Sequence, residues 1–149
     1  MPNTPLMVGE GMTVIAGEDG VLKEQLKFVT DMFSKSGKVI TLKEEFIDAA
    51  VGVFSSSPAY VYMFIEALAD GGVFNGIDRN TALSLAAQAV YGSAKMVLES
   101  GMHPAELKDM VCSPNGTTIR AVKALEDNGF RSSILNAMEE CYKRTKELK

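Results

Sequence analysis

The sequence predicts a mainly α protein, an interlocked dimeric helical bundle preceded by a small β-α-β unit. From Lys43 onward, apolar residues recur at helical spacing and no strand pattern competes. Strand-like runs occur only in the first 42 residues. One later helix is apolar on nearly every face, which indicates burial against a second subunit. We therefore assign the β-α-β segment to residues 1–42 and an all-α domain to residues 43–149.

The β-α-β segment begins with a strand-like run at residues 12–16, centred on Val14 and Ile15. Residues 21–33 carry one apolar helical face, and residues 38–42 form a second strand-like run after Gly37. Two strands and one helix bury little apolar surface and leave unpaired strand edges. We expect this segment to be the least stable part of the chain, or to pair its edges with another chain.

Six helical segments follow in the all-α part. They are residues 43–54, 58–74, 79–100, 103–111, 118–127 and 130–148. Asp78 is predicted to cap the helix at 79–100, and Pro58 suits the first turn of its helix. His103 is the only histidine, and it precedes Pro104 as a helix-start residue. A lone histidine without a second ligand nearby argues against a metal site.

The helix at residues 79–100 predicts the dimer. A helix that is apolar all round must be buried all round, which a small single-layer bundle cannot easily provide. Its small residues would let two helices approach closely; they are Ala86, Ala87, Gly92, Ser93 and Ala94. We predict a homodimer built around this helix, possibly part of a higher oligomer. The alternative is a central helix that is fully buried within one chain.

Charge and composition exclude several classes of protein. The net charge of −4 without a block of like charges argues against nucleic-acid binding. The longest uninterrupted apolar run, residues 59–65, is far shorter than a membrane-spanning helix requires. Cys112 and Cys141 lack metal-ligand spacing and fit free thiols in a reducing cytoplasm.

The segment at residues 112–118, with the sequence CSPNGTT, is the strongest candidate for a binding site. Asn115 and Gly116 form a dipeptide that tolerates positive φ, and Thr117 or Thr118 suits the N-cap of the next helix. The following residues lack the Glu or Gln of a capping box, so some first-turn amides stay open. Open amides at the positive end of a helix suit a carboxylate or phosphate. The alternative is an ordinary capped turn.

Eight motifs in register give the chain a family resemblance. They are MPNTP, VGEGMT, SPAY, FIEALADGG, AAQAVYGSAKM, HPAELKD, SPNGTT and ALEDNGFR. In this order they closely resemble the C-terminal part of pyrroline-5-carboxylate reductase, the last enzyme of proline biosynthesis. The resemblance implies an intertwined dimer and a cytoplasmic oxidoreductase. It also implies that the β-α-β segment is the remnant of a Rossmann dinucleotide-binding sheet.

The resemblance assigns roles to residues near the SPNGTT motif. It implies that the amides of Gly116 and Thr117 and the hydroxyl of Thr118 hold the substrate carboxylate, with Asn115 in the same turn. Met110, Val111 and Ser113 would border the nicotinamide of the cofactor. The resemblance leaves the proton donor unassigned.

The Gly-rich turn of a Rossmann fold is missing from this sequence. Gly9 and Gly11 have the first spacing of G-x-G-x-x-G, but Val14 stands where the third glycine should be, and a strand-like run follows. We therefore expect NADPH or NADH to serve the complete enzyme through a Rossmann domain that is missing here. No cofactor is expected to bind this chain alone, and the chain alone is expected to be inactive.

Departures from the family pattern leave a second function open. Ser55 and Ser57 replace both glycines of a Ser-Gly-Ser-Gly-Pro run, which could reshape the loop over the active site. Asn115 stands where the family most often has glycine, and Met63 where some members have a hydroxyl. The alternative function is a non-catalytic helical dimer, acting as an interaction module or a small-carboxylate-binding module.

Overall fold

A computed structural model describes residues 1–17 and 20–148 of the chain. The described residues do not include Glu18 and Asp19 of the predicted segment 1–42 or Lys149 of the predicted segment 43–149. The strands are β1 (Gly11–Ala16) and β2 (Gly37–Leu42). The α-helices are α1 (Lys23–Phe33), α2 (Ile47–Ala50), α3 (Ser57–Phe74), α4 (Arg79–Ser100), α5 (Pro104–Met110), α6 (Thr117–Asp127) and α7 (Phe130–Glu147). The mainly α prediction with a small N-terminal β-α-β unit is confirmed.

The β-α-β unit has the predicted parallel pairing. β1 and β2 pair in register from Gly11 opposite Gly37 to Ala16 opposite Leu42, and α1 makes the crossover. Gly37 has φ of 145°, and a Cβ built there would lie 2.0 Å from the Gly11 carbonyl oxygen. The two strands can therefore start side by side only because this position is glycine.

The prediction of one helix at residues 43–54 is wrong in detail. The segment is a 3₁₀ turn (Glu44–Phe46), then α2, then a π-helical turn (Val51–Ser55). The Ser56 amide donates to the Val51 carbonyl at 2.9 Å, and the Ser57 hydroxyl donates to the Val53 carbonyl at 2.6 Å. Through these bonds, two carbonyls of the π-turn are satisfied by donors other than the usual α-helical amide. This makes the wider turn possible.

Two predicted helix starts are confirmed and one is wrong. The Asp78 carboxylate accepts a hydrogen bond from the Thr81 amide at 3.1 Å, and His103 Nδ1 accepts one from the Ala105 amide at 3.2 Å. In contrast, α6 begins at Thr117 with Gly116 as its N-cap, so neither threonine caps the helix. A Cβ on Gly116 would lie 2.3 Å from Ser113 Oγ, so this tight turn favours glycine at the cap position.

The chain forms two compact units, residues 1–61 with 135–149 and residues 62–134. In the first unit, Val14, Phe54 and Thr13 are buried. In the second, Ala69, Ala82 and Ala86 form a small core with Ile65 packed against it. The predicted division between residues 42 and 43 stays a prediction. No helix in the described ranges has the length and apolar content needed to cross a membrane.

Large apolar side chains of α4 remain exposed in the single chain. Leu85 is 58% exposed, Tyr91 53% and Leu98 77%. The alternative of a central helix fully buried within one chain is therefore wrong. These three side chains of α4 lack full cover from the described residues of the same chain.

Candidate functional site

The 112–118 turn connects α5 to α6 within the second unit. The Cys112 amide donates to the Asp109 carbonyl at 3.0 Å, which closes the end of α5. Asn115 then adopts φ of 56°, and it is the one non-glycine residue with positive φ among the residues described. The predicted positive-φ position is thus confirmed, and asparagine tolerates it better than most residues do.

The turn leaves open amides, although not all of those predicted. The Gly116 amide donates to the Ser113 carbonyl at 3.0 Å, so the prediction of an open donor at Gly116 is wrong. No side chain in the described ranges caps α6. The first-turn amides of Thr117 and Thr118 therefore remain available, with the positive end of the α6 dipole behind them. Thr117 is exposed and Thr118 half-buried.

Arg120 is a residue of this site that the sequence analysis missed. It lies in the first turn of α6, and its Nη2 donates to Asn115 Oδ1 at 2.8 Å. This bond orients the Asn115 carboxamide and ties a guanidinium to the turn. Because Arg120 is exposed, solvent screens its charge, and its contribution to anion binding should depend on salt. An arginine one helical turn beyond a candidate anion site was the signal available in the sequence.

Further cations surround the turn. Lys108 forms an ion pair and a hydrogen bond with Asp109. This hydrogen bond is the main cause of the raised pKa of Lys108, and the nearby Cys112 raises it further. Arg131 opposes the shift and pairs with Glu126 through Nε at 2.7 Å. Lys108 and Arg131 thus each have an acidic partner, whereas Arg120 donates to the neutral carboxamide of Asn115.

The residues predicted to border a nicotinamide fall into two places. Met110 and Val111 are exposed and line an apolar groove of about 380 Å³ between α4 and α5. Lys108 is the charged residue on this groove, and Leu107 and Val97 contribute to its apolar wall. Ser113 lies instead in the turn against Gly116. The cofactor role of all three residues stays a prediction.

The serine loop, residues 55–58, lies in the first unit. It contains Ser55 and Ser57, the two positions where the family has glycine. Ser55 and Ser57 both adopt negative φ, so neither position requires glycine. Ser56 Oγ accepts a hydrogen bond from the Cys141 thiol at 3.3 Å. Burial raises the pKa of Tyr60, a hydrogen bond with Cys141 adds to the shift, and one with Ser56 opposes it. Ser56, Tyr60 and Cys141 thus form one half-buried polar cluster.

The segment from Gly9 to Gly11 does not form the glycine-rich turn of a dinucleotide-binding site. Gly9, with φ of 79°, ends a 3₁₀ turn, and β1 rather than a helix follows. A Cβ on Gly11 would lie 2.7 Å from Leu6 Cβ, so Gly11 serves the packing of β1 against that turn. Among the residues described, no group of three or more His, Cys, Asp or Glu could hold a metal ion.

Most of this chain is similar to proteins of one known family. The family model for pyrroline-5-carboxylate reductase dimerisation matches residues 44–148. The pyrroline-5-carboxylate reductase of Escherichia coli strain K12 is 51% identical over 148 residues, which cover 99% of this chain and 55% of that protein. Human pyrroline-5-carboxylate reductase 2 is 47% identical, with 99% of this chain and 46% of that protein covered.

Solved structures show the same fold. The crystal structure of Plasmodium falciparum pyrroline carboxylate reductase with NADP bound matches with a TM-score of 0.92 at 38% identity. The match covers 99% of this chain and 60% of that one. This chain spans about half the length of the curated relatives that it matches.

Proposed function

The chain belongs to the pyrroline-5-carboxylate reductase dimerisation family, and we propose that it supplies the subunit-pairing and substrate-carboxylate-binding part of such a reductase. The complete enzyme would reduce a cyclic imine to proline with NADPH or NADH, as an oxidoreductase of proline biosynthesis. The observation that carries the proposal is the 112–118 turn, where the first amides of α6 have no side-chain cap and Arg120 donates to Asn115 of the same turn.

Pairing of two chains is supported by the exposed surface. The chain exposes 11036 Å². Two separate compact bodies, each with half of its 16.1 kDa mass, would expose only about 8,900 Å². The excess is of the size that one protomer buries in an obligate dimer interface. An apolar groove of about 450 Å³ between α3 and α4 offers a place for the partner, with Phe64, Leu68 and Val97 in its wall.

Carboxylate binding is supported by charge and by donor geometry. The amides of Thr117 and Thr118 and the Thr118 hydroxyl can donate to the two oxygens of one carboxylate. Arg120 adds a positive charge beside them. A small amino acid such as proline would fit this turn without needing a deep pocket. The dinucleotide phosphates would be held outside this chain, so the chain alone is proposed to be inactive.

The turn can be tested with L-proline and pyrrolidine, which share the ring but differ in the carboxylate. The amide NMR signals of Thr117 and Thr118 should shift with millimolar L-proline and stay in place with pyrrolidine. Thr118→Val should weaken the response. Thr81→Val is the matched control, since Thr81 also lies in a first turn, but its amide is already bonded to Asp78. Equal shifts with both compounds would contradict carboxylate recognition.

A second experiment separates the enzyme part from a non-catalytic module. A cofactor-binding domain from a relative is supplied in trans, and imine reduction is followed by the loss of NADPH absorbance. We expect activity only when both proteins are present. Micromolar NADPH binding by this chain alone would contradict the assignment of the cofactor site elsewhere. Absence of both rescue and proline binding would favour the non-catalytic alternative.

A further inference from the structure

Asn3 makes a set of contacts that the proposed function does not use. The side-chain oxygen Oδ1 of Asn3 accepts a hydrogen bond from the Met12 backbone amide at 2.9 Å, and the backbone amide of Asn3 donates to the Met12 carbonyl at 3.1 Å. Its Nδ2 donates to the Phe54 carbonyl at 2.9 Å, across 51 positions of the sequence. One half-buried carboxamide therefore joins the start of β1 to the π-turn within the first unit.

The Phe54 carbonyl needs this partner for a physical reason. Phe54 is buried, with 9% of its surface exposed, and Pro58, four positions on, has no N–H to donate to its carbonyl. A buried carbonyl without a donor is costly, so the donor to Phe54 has to come from outside the turn. The Ser57 hydroxyl serves the Val53 carbonyl, but that bond is local to the turn. Asn3 supplies the long-range constraint.

The π-turn also sets the position of the serine loop. Ser56 follows the turn directly, and its hydroxyl meets the Cys141 thiol at 3.3 Å. Gly52 in the turn packs against Met138 of α7, where a Cβ would lie 2.9 Å from Met138 Cε. A change in the turn would therefore move Ser56 relative to α7.

We propose that Asn3 is a positioning residue, whose carboxamide lets the β-α-β segment set the π-turn and, through it, the serine loop. Its meaning for catalysis rests on the proposed function. The coupling itself is a property of this chain. It gives a role to the MPNTP motif.

The test compares Asn3→Asp with the unchanged chain. The aspartate keeps the acceptor for the Met12 amide but loses the donor to Phe54. Exchange of the amide hydrogens of residues 54–60, apart from Pro58, should become about tenfold faster, the effect of losing one hydrogen bond. In a Cys112→Ser background, alkylation of Cys141 should also speed up. The pKa of Tyr60, followed by its ring NMR signals, should fall toward its ordinary value as its burial decreases.

Matched controls lose the same kind of bond at other places. Asn75→Asp loses a donor to the Gly71 carbonyl, and Asn128→Asp loses one to the Ala124 carbonyl, each only four residues back. Neither should change exchange at residues 54–60. Asn3→Ala serves as a second variant without an added charge, and exchange in β1 reports whether the fold persists.

Three outcomes would overturn the proposal. Unchanged loop exchange in a folded Asn3 variant would remove the coupling, and equal acceleration in the controls would make it nonspecific. Unfolding of both Asn3 variants would assign the residue to general stability instead of positioning. The L-proline titration of Thr117 and Thr118 is read at other amides, so a failure of the proposed function is recorded separately.

Discussion

Leu85→Ala should weaken the proposed dimer by a predictable amount. Leu85 is 58% exposed in the single chain, so more than half of its surface is available to a partner. Full burial of a leucine side chain stabilises by about 1.5–3 kcal/mol. The partner's share is then about 0.9–1.7 kcal/mol for each chain, and a two-fold symmetric dimer contains the contact twice. A loss of about 1.7–3.5 kcal/mol raises the dissociation constant by about 20- to 400-fold.

Sedimentation velocity over a dilution series measures this change directly. Leu148→Ala is the control, because Leu148 is 71% exposed at the end of α7 and undergoes the same chemical change. Circular dichroism should show the same helix content in both variants. The reasoning would be refuted by a dissociation constant within twofold of the unchanged chain for Leu85→Ala, or by an unchanged chain that stays monomeric at high concentration.

Three further predictions concern local structure. Gly116→Ala should cost about 0.5–1.5 kcal/mol in urea unfolding, and adding Ser113→Ala should recover most of this loss, because the new Cβ meets Ser113 Oγ at 2.3 Å. Asn115→Val should cost about 1–2 kcal/mol, while Asn115→Gly should change stability by less than about 0.5 kcal/mol, since only the former strains the positive φ; equal losses would contradict this. Hydrogen bonds from the side chain and amide of Thr81 lower the pKa of Asp78, so its stabilisation of α4 is present above the ordinary carboxyl range and is lost as pH falls through the lowered value. Acid titration of the 222 nm ellipticity should show this loss, and Asp78→Asn, which retains a capping oxygen, should remove that part of the pH dependence.

Local signals predicted much of the fold because they act over a few residues. Asp78 caps α4 through an amide three positions away, and Asn115 adopts positive φ for reasons within its own residue. The parallel pairing of β1 and β2 follows from a strand, a helix and a strand in sequence. In each case the stabilising group and its partner are close in the chain.

The misses depend on contacts that are fixed only once the chain has its three-dimensional path, whether the partners are near or far in the sequence. The π-turn depends on Asn3, which is 51 positions from its partner Phe54. The Gly116 amide is used by Ser113 because the turn closes tightly, although the spacing alone left it open. The arginine at position 120 reaches back to Asn115 only once α6 has formed.

The amino-acid sequence by itself determined the class of fold, the helix starts at Asp78 and His103, and the family through its motifs, because periodicity, capping and motif order are one-dimensional properties. Only the tertiary structure decided which amides of the 112–118 turn are open, how two serines replace glycines without strain, and which side chains α4 leaves for a partner. These depend on the distances between atoms in three dimensions, and hydrogen bonds and van der Waals contacts form or fail within a few tenths of an ångström.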